Sequence, residues 1–242
     1  MSMWRALAGE GSGTKWMRVL LGDGHDCLLC LGHKAPSLLC GPCEQALPVV
    51  VTPCPQCGVE TAGGERCGAC IAQPPWFDAV ESAFAYGFPA DQLVRRFKFS
   101  GDLALGAWLG EALARQVANR PQPDLLVPAP LSAQRLRSRG FNQALVLARR
   151  IGRRRGIAVA GDAITKLRDT PSQAGLSRAA RQGNLRDAFA CPRRLDGLHV
   201  ALVDDVMTTG ATADALAAAL KAAGAARVDA WVVARTPQPH AR

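Results

Sequence analysis

The sequence predicts an α/β fold with a mainly parallel central sheet, preceded by a small cysteine-rich segment. Three observations carry this prediction. Eight of the nine cysteines fall between Cys27 and Cys70. From Trp76 onward, strand-like apolar runs alternate with helical ones, the pattern of a sheet with crossover helices. The strongest strand run, Leu198–Val203, leads into two aspartates and a turn rich in Thr and Gly. A chain of 242 residues suits one large domain, or a medium domain with a small appendage, and is long enough for a real core.

The first 26 residues carry Arg5, Glu10, Lys15 and Arg18, with no apolar core followed by a cleavage site. No secretory signal is read there, and no apolar run nears the ~18 residues of a membrane-spanning helix. Residues 1–26 are predicted to be a flexible N-terminal segment and the protein to be cytoplasmic. The cysteines then arrive as four C-x-x-C pairs, Cys27/Cys30, Cys40/Cys43, Cys54/Cys57 and Cys67/Cys70, separated by nine, ten and nine residues. The unit C-x2-C-x9-C-x2-C therefore occurs twice. One C-x-x-C turn presents two thiolates about a tetrahedral edge apart, and a second turn supplies the opposite edge, an arrangement suited to Zn²⁺. Four thiolates leave the metal no open position, so the sites are read as structural. Disulfides are the competing reading, disfavoured by the absence of an export signal. The block repeat favours the sets Cys27/Cys30/Cys40/Cys43 and Cys54/Cys57/Cys67/Cys70, although the spacing also admits a cross-brace or a single metal. His25 and His33 are then bystanders. Residues 27–73 are thus predicted to form a double zinc ribbon with two Zn²⁺, closed by the stiff linker Gln73-Pro74-Pro75.

The larger domain is expected over residues 76–242. Phe77–Tyr86 reads as extended, with Val80, Phe84 and Tyr86 as apolar anchors. Pro89–Phe99 has Leu93, Val94 and Phe97 on one helical face. Gly101 and Asp102 punctuate it before a Leu/Ala-rich helix from Leu103 to Asn119. A short strand, Asp124–Val127, ends in Pro128-Ala129-Pro130. Gln134–Gly152 is predicted helical with a break at Gly140, and one or two strands follow between Ile157 and Leu167. The segment from Arg168 to about Asn184 has no clean period. Strand Leu198–Val203, helix Ala211–Ala223 and strand Arg227–Ala234 complete the alternation.

Ligands of parallel sheets sit at the carboxyl ends of the strands. There the sequence reads Asp204-Asp205-Val206-Met207-Thr208-Thr209-Gly210-Ala211-Thr212. Gly210 and Ala211 allow backbone N–H groups to approach a ligand closely, the threonines add hydroxyl donors, and a helix N-terminus follows. Together they form a phosphate cradle. Two carboxylates cannot bind that phosphate but suit the hydroxyls of a sugar joined to it, so the ligand reads as a ribose 5-phosphate. Neither a P-loop nor a G-x-G-x-x-G fingerprint is present.

The stretch Val203–Thr212 resembles the phosphoribosyl pyrophosphate (PRPP) signature of type I phosphoribosyltransferases. Residues 27–235 as a whole resemble the ComF family of competence-associated, amidophosphoribosyltransferase-like proteins. The likeness includes Phe97-Lys98-Phe99-Ser100-Gly101-Asp102, Val127-Pro128-Ala129-Pro130-Leu131, Arg139-Gly140-Phe141-Asn142-Gln143 and the Thr170–Phe189 segment. It implies a type I phosphoribosyltransferase fold behind the double zinc ribbon, and a phosphoribosyltransferase of the pentosyl class acting in nucleoside metabolism or DNA uptake. Asp204 and Asp205 would hold the ribose hydroxyls, and Thr208, Thr209, Gly210, Ala211 and Thr212 the 5-phosphate. Pro128, Ala129 and Pro130 look like the pyrophosphate loop, with Mg²⁺ bridging pyrophosphate and ribose oxygens. Arg168, Arg178 and Arg181 fall where such enzymes carry a flexible lid, and would act catalytically on the departing pyrophosphate. Lys98 and Asp102 lie in a family motif whose role spacing does not reveal.

Residues 135–194 hold fifteen Lys/Arg and three Asp/Glu, a net +12, which leaves −3 for the rest of a chain of net +9. That excess surpasses the needs of one PRPP. Single-stranded DNA fits it together with the competence resemblance, although Phe141 and Phe189 are too few aromatics for a stacking platform. A solvated basic face is the plainer reading of Arg149–Arg155. Two functions are therefore carried forward. One is Mg²⁺-dependent phosphoribosyl transfer to an unidentified acceptor. The other is a non-catalytic adaptor that binds single-stranded DNA, a competence helicase or another uptake protein. His199, in an apolar strand, and Cys191, without partners, are expected to pack.

Overall fold

Pairs of cysteines organise the start of the chain in this computed structural model, which describes residues 25–32, 34–35, 37–167 and 188–237. Strands β1 (His25–Asp26) and β2 (Lys34–Ala35) form an antiparallel ribbon, and short helices α1 (Gly41–Gln45) and α2 (Gly68–Ala72) each begin directly behind an extended cysteine, Cys40 or Cys67. The described residues separate into two compact units, one through Leu47 and the other from Pro48. The second cysteine set, with α2, belongs to the latter.

In that second unit the alternation runs β3 (Ala79–Ala85), α3 (Ala90–Ser100), α4 (Leu103–Gln116), β4 (Leu125–Pro128), α5 (Ala133–Arg139), α6 (Gln143–Arg155), β5 (Ala158–Val159), β6 (Thr165–Lys166), β7 (Phe189–Ala190), β8 (His199–Met207), α7 (Ala211–Ala222) and β9 (Arg227–Arg235). The main sheet has five strands in the order β3-β9-β8-β4-β5, and every neighbouring pair is parallel. The fold class is therefore α/β with a parallel central sheet. Val200–Val203 and Ala230–Ala234 are buried throughout, as strands covered on both faces require. Helices α4 and α6 pack on each other and on β3, β9, β4 and β8, while α7 packs on β7, β8 and β9. Leu216 and Leu220 of α7 join Val200, Leu202, Ala230 and Val232 in a core that also takes in Cys54, Cys57, Val59 and Cys70. The second cysteine set is thus built into the body of this unit.

The predicted helix across Gln134–Gly152 is two helices, because Gly140 turns left-handed (φ 76°) and ends the first. Asn142 then starts the second by accepting from Leu145 N–H at 3.3 Å. Strand β8 runs four residues beyond the expected Val203. Its partner β9 continues to Arg235, and the pairing Asp204↔Val232, Val206↔Ala234 and Met207↔Arg235 keeps the acidic residues inside the ladder. His199 lies at the other end of β8, where its Nε2 hydrogen-bonds Asp229 at 2.9 Å. No helix among the described residues is long and apolar enough to cross a membrane.

Candidate phosphoribosyl site and metal centres

Each repeat gathers its own four sulfurs. Cys27, Cys30, Cys40 and Cys43 form one group and Cys54, Cys57, Cys67 and Cys70 the other, with all four Sγ atoms of each group within 4.8 Å of one another. Cys30 Sγ lies 3.8 Å from Cys40 Sγ, and Cys57 Sγ lies 3.6 Å from Cys67 Sγ. A tetrahedral ion at about 2.3 Å from each sulfur demands an edge of roughly 3.8 Å, so both groups fit such an ion. Their second-sphere contacts repeat as well: Cys40 N–H donates to Cys27 Sγ and Cys67 N–H to Cys54 Sγ, each at 3.4 Å. Burial and the neighbouring thiols Cys40, Cys27 and Cys30 push Cys43 up to about 12. Burial pushes Cys54 upward too, but the N–H groups of Cys57, Cys67 and Gln56 hold it down to about 7. Four crowded thiolates repel one another, so all four ionise together only with a cation among them. Both groups can hold a metal ion.

At the carboxyl end of β8, Asp205 is buried and Asp204 half-buried. The Asp204 carboxylate accepts from Asp205 N–H at 2.8 Å. Burial, then the charge of Asp205, pushes Asp204 up to about 7 against the opposing pull of that N–H, Lys98 and Arg135. Lys98 Nζ sits 3.1 Å from Asp205 Oδ1. Immediately beyond, Gly210 adopts φ 84°, a left-handed conformation that glycine tolerates, and caps α7. Thr209 Oγ1 accepts from Ala211 N–H at 3.4 Å. Thr208, Thr209 and Thr212 are exposed. Asp204 and Val206–Thr212 line a cavity of about 390 Å³, its solvent-open mouth included, floored by Leu202, Ala230 and Val232. Eight of the nine residues Asp204–Thr212, all but the buried Asp205, thus line one cavity whose acidic wall, Asp204, adjoins a helix start.

Pro128-Ala129-Pro130 lies beside that wall, since β4 pairs with β8 up to Pro128↔Val203. Ala129 N–H donates to Val203 O at 2.9 Å, and Ala129 O accepts from Asn142 Nδ2 at 3.1 Å. Proline has no N–H, so free backbone donors on this turn begin only at Leu131. Gln143, next to Asn142, is buried with neither amide atom hydrogen-bonded among the described residues. Arg168, Arg178 and Arg181 lie outside the described residues.

Two residues of the Phe97–Asp102 motif now have contacts. Lys98 faces Asp205, as above. Asp102 caps α4 by accepting from Leu105 N–H at 3.0 Å, and pairs with Arg96 at 3.4 Å. The basic stripe divides. Arg150 and Arg154 both pair with Glu111 on α4, at 2.9 and 3.1 Å, and Arg155 donates to Val117 O at 2.7 Å. On α5, Arg135 acts electrostatically on Asp204, and the Arg139 guanidinium lies 5.7 Å over the exposed ring of Phe99. An aromatic from outside the stripe has thereby joined it.

No family model matches the sequence. The chain is 36% identical over 219 residues to DNA utilization protein YhgH of Salmonella typhi, covering 87% of this chain and 96% of that protein. It is 31% identical over 225 residues to competence protein F of Haemophilus influenzae, covering 86% and 96%. Among solved structures, glutamine PRPP amidotransferase from B. subtilis, complexed with ADP and GMP, matches with a TM-score of 0.38 and 22% identity. That match covers 52% of this chain and 25% of that one.

Proposed function

The chain belongs to the ComF family, with competence protein F and DNA utilization protein YhgH, and from that premise we propose that it is a PRPP-binding phosphoribosyltransferase serving DNA uptake or use. The observation that carries this reading is the cavity at the end of β8, with the Asp204 carboxylate on one wall and the Thr208–Thr212 turn on the other, while Asp205, next in the strand, is held by Lys98. The carboxylates accept hydrogen bonds from the 2′- and 3′-hydroxyls of the ribose. The turn gives hydroxyl and backbone donors to the 5-phosphate, helped by the unpaired N–H groups at the start of α7. The anomeric carbon then faces the Pro128–Pro130 turn, where the pyrophosphate leaves.

With Lys98 on Asp205, the acidic pair is partly neutralised and suits hydroxyl donors. Mg²⁺ would find hard oxygen ligands in these two carboxylates and in the pyrophosphate it arrives with, and it would stabilise charge on that leaving group. Arg135, from α5, adds a fixed cation at the same end of the site. Arg168, Arg178 and Arg181 complete the reading as the cations that close over the pyrophosphate and exclude water from C1. The two four-cysteine groups hold structural Zn²⁺, whose thiolate sets leave no open position.

A second reading, a non-catalytic adaptor for single-stranded DNA or a helicase, is favoured by Phe99 and Arg139. An exposed ring with a guanidinium over it, beside further arginines, offers a base-stacking face next to phosphate-binding charge. Incubation of labelled PRPP and Mg²⁺ with a panel of bases and amines separates the two. Acceptor-dependent pyrophosphate release supports the transferase, and retention of PRPP without turnover supports the adaptor. Neither retention nor release defeats both.

A further inference from the structure

Arg235, the last residue of β9, is 1% exposed. A guanidinium stays charged inside a protein, and no carboxylate pairs with this one among the described residues. Four carbonyls surround it. Nε donates to Cys57 O at 2.8 Å, and one terminal nitrogen donates to Met207 O at 3.1 Å, to Thr236 O at 2.9 Å and to Thr208 O. One planar group therefore joins the Cys54-x-x-Cys57 turn of the second cysteine cluster to the first residues of the Thr208–Gly210 turn. A second strut runs parallel to it, from Trp76 N–H to Asp214 Oδ1 in the first turn of α7, at 2.6 Å. Phe77 lies beneath Gly210, its ring 3.7 Å from where a Cβ would stand. On this side, a cleft lined by Cys57, Gln73, Phe77, Thr209, Gly210 and Arg235 separates cluster from turn. The same Thr209 and Gly210 face the ligand cavity on their other side.

We infer that Arg235 is a positioning residue that ties metal occupancy of the Cys54/Cys57/Cys67/Cys70 cluster to the shape of the Thr208–Gly210 turn. A bound metal fixes the Cys54–Cys57 turn and with it the carbonyl that holds Nε. The guanidinium, anchored there, holds the carbonyls of Met207 and Thr208, and the N–H groups that follow face the cavity. Loss of the metal frees the first acceptor, and the turn loses its brace. By linkage, ligand bound at the turn strengthens metal retention to the same degree. The first cluster, Cys27/Cys30/Cys40/Cys43, belongs to the other compact unit and serves as the internal control. The inference rests on reading this turn as a phosphate site, but its mechanical part is testable without any ligand.

The test compares amide hydrogen exchange in zinc-loaded, full-length protein with Arg235→Lys, Cys70→Ser and Cys43→Ser. Amides of 207–212 are expected to exchange roughly tenfold faster in the Arg235 and Cys70 variants, a typical size for coupling between sites. They should be unchanged in the Cys43 variant, while Ala201–Val203 and Ala230–Val233 keep their protection in all. An unchanged turn in Cys70→Ser, or an equal rise in Cys43→Ser, overturns the coupling. Should Cys70→Ser also lose protection in the sheet, zinc-loaded Arg235→Lys decides. Its turn must exchange faster and a chelator must extract its second zinc faster, and wild-type behaviour in either overturns the inference. Titration of wild type with ribose 5-phosphate reports separately on the phosphate reading. Absence of binding there defeats that reading and leaves the exchange comparison to decide the coupling.

Discussion

Asp204→Asn is expected to stabilise the protein at pH 8, not at pH 5, while impairing its ligand site. The Asp204 carboxyl is raised from the ordinary aspartate range to about 7, first by burial and then by Asp205. An acid so raised keeps its proton in the fold after the unfolded chain has released it. Stability therefore falls as pH rises from about 4 to about 7, and the full penalty is present above that window. Roughly 3 pH units at about 1.36 kcal/mol each set a ceiling near 4 kcal/mol. Because the carboxyl is half-buried and keeps some solvent, about 2 kcal/mol is the working figure. Asn keeps the oxygen that accepts from Asp205 N–H, so the substitution removes the charge and little else. Urea unfolding of both proteins at pH 5 and pH 8, without ligand, measures the difference. The variant should be more stable by about 2 kcal/mol at pH 8 and within about 0.5 kcal/mol of wild type at pH 5. An equal difference at both pH values, or a loss of stability at pH 8, refutes the reasoning. A carboxylate kept at such a cost is what a binding site asks of its scaffold.

Three further outcomes are expected. Gly106→Ala drives a Cβ into the Phe97 ring, and should destabilise by about 1–3 kcal/mol in urea melts and weaken ligand binding through Lys98, the next residue along α3. Asp102→Ala loses the cap of α4, and should cost about 1 kcal/mol with ligand affinity unchanged in calorimetry. Metal analysis should find about two zinc ions per chain, about one in Cys70→Ser, and no change in Cys191→Ser, since Cys191 bonds only to the Arg193 carbonyl among the described residues.

Much of this architecture is legible because its signals are local. The doubled cysteine unit announces its two clusters, the unbroken apolar run Val200–Val203 announces a central strand buried on both faces, and Asp204–Thr212 carries its chemistry in nine consecutive residues. What escapes is set by packing between distant segments. Lys98 reaches Asp205 because Phe97 seats α3 against Gly106 and tilts against the Phe141 ring, with centroids 5.6 Å apart. Nothing within the helix reveals that destination. Arg150 and Arg154 read as a solvated face until α4 presents Glu111 to them. Arg235 had one visible signal, a cation closing the apolar run Ala230–Ala234, but its acceptors come from Cys57 and from the end of β8. Strand β8 outran its apolar run because ladder pairing with β9 depends on backbone and tolerates acidic side chains.

The central claim, that Asp204–Thr212 binds a phosphorylated ribose, is tested most directly by calorimetric titration of PRPP with Mg²⁺ into the zinc-loaded full chain, alongside Asp205→Asn. Saturable binding at one site per chain is predicted for the wild type. In Asp205→Asn it should be weakened roughly tenfold or more, the worth of a hydrogen bond to a charged group. No binding by the wild type, or equal affinity in both proteins, would contradict it.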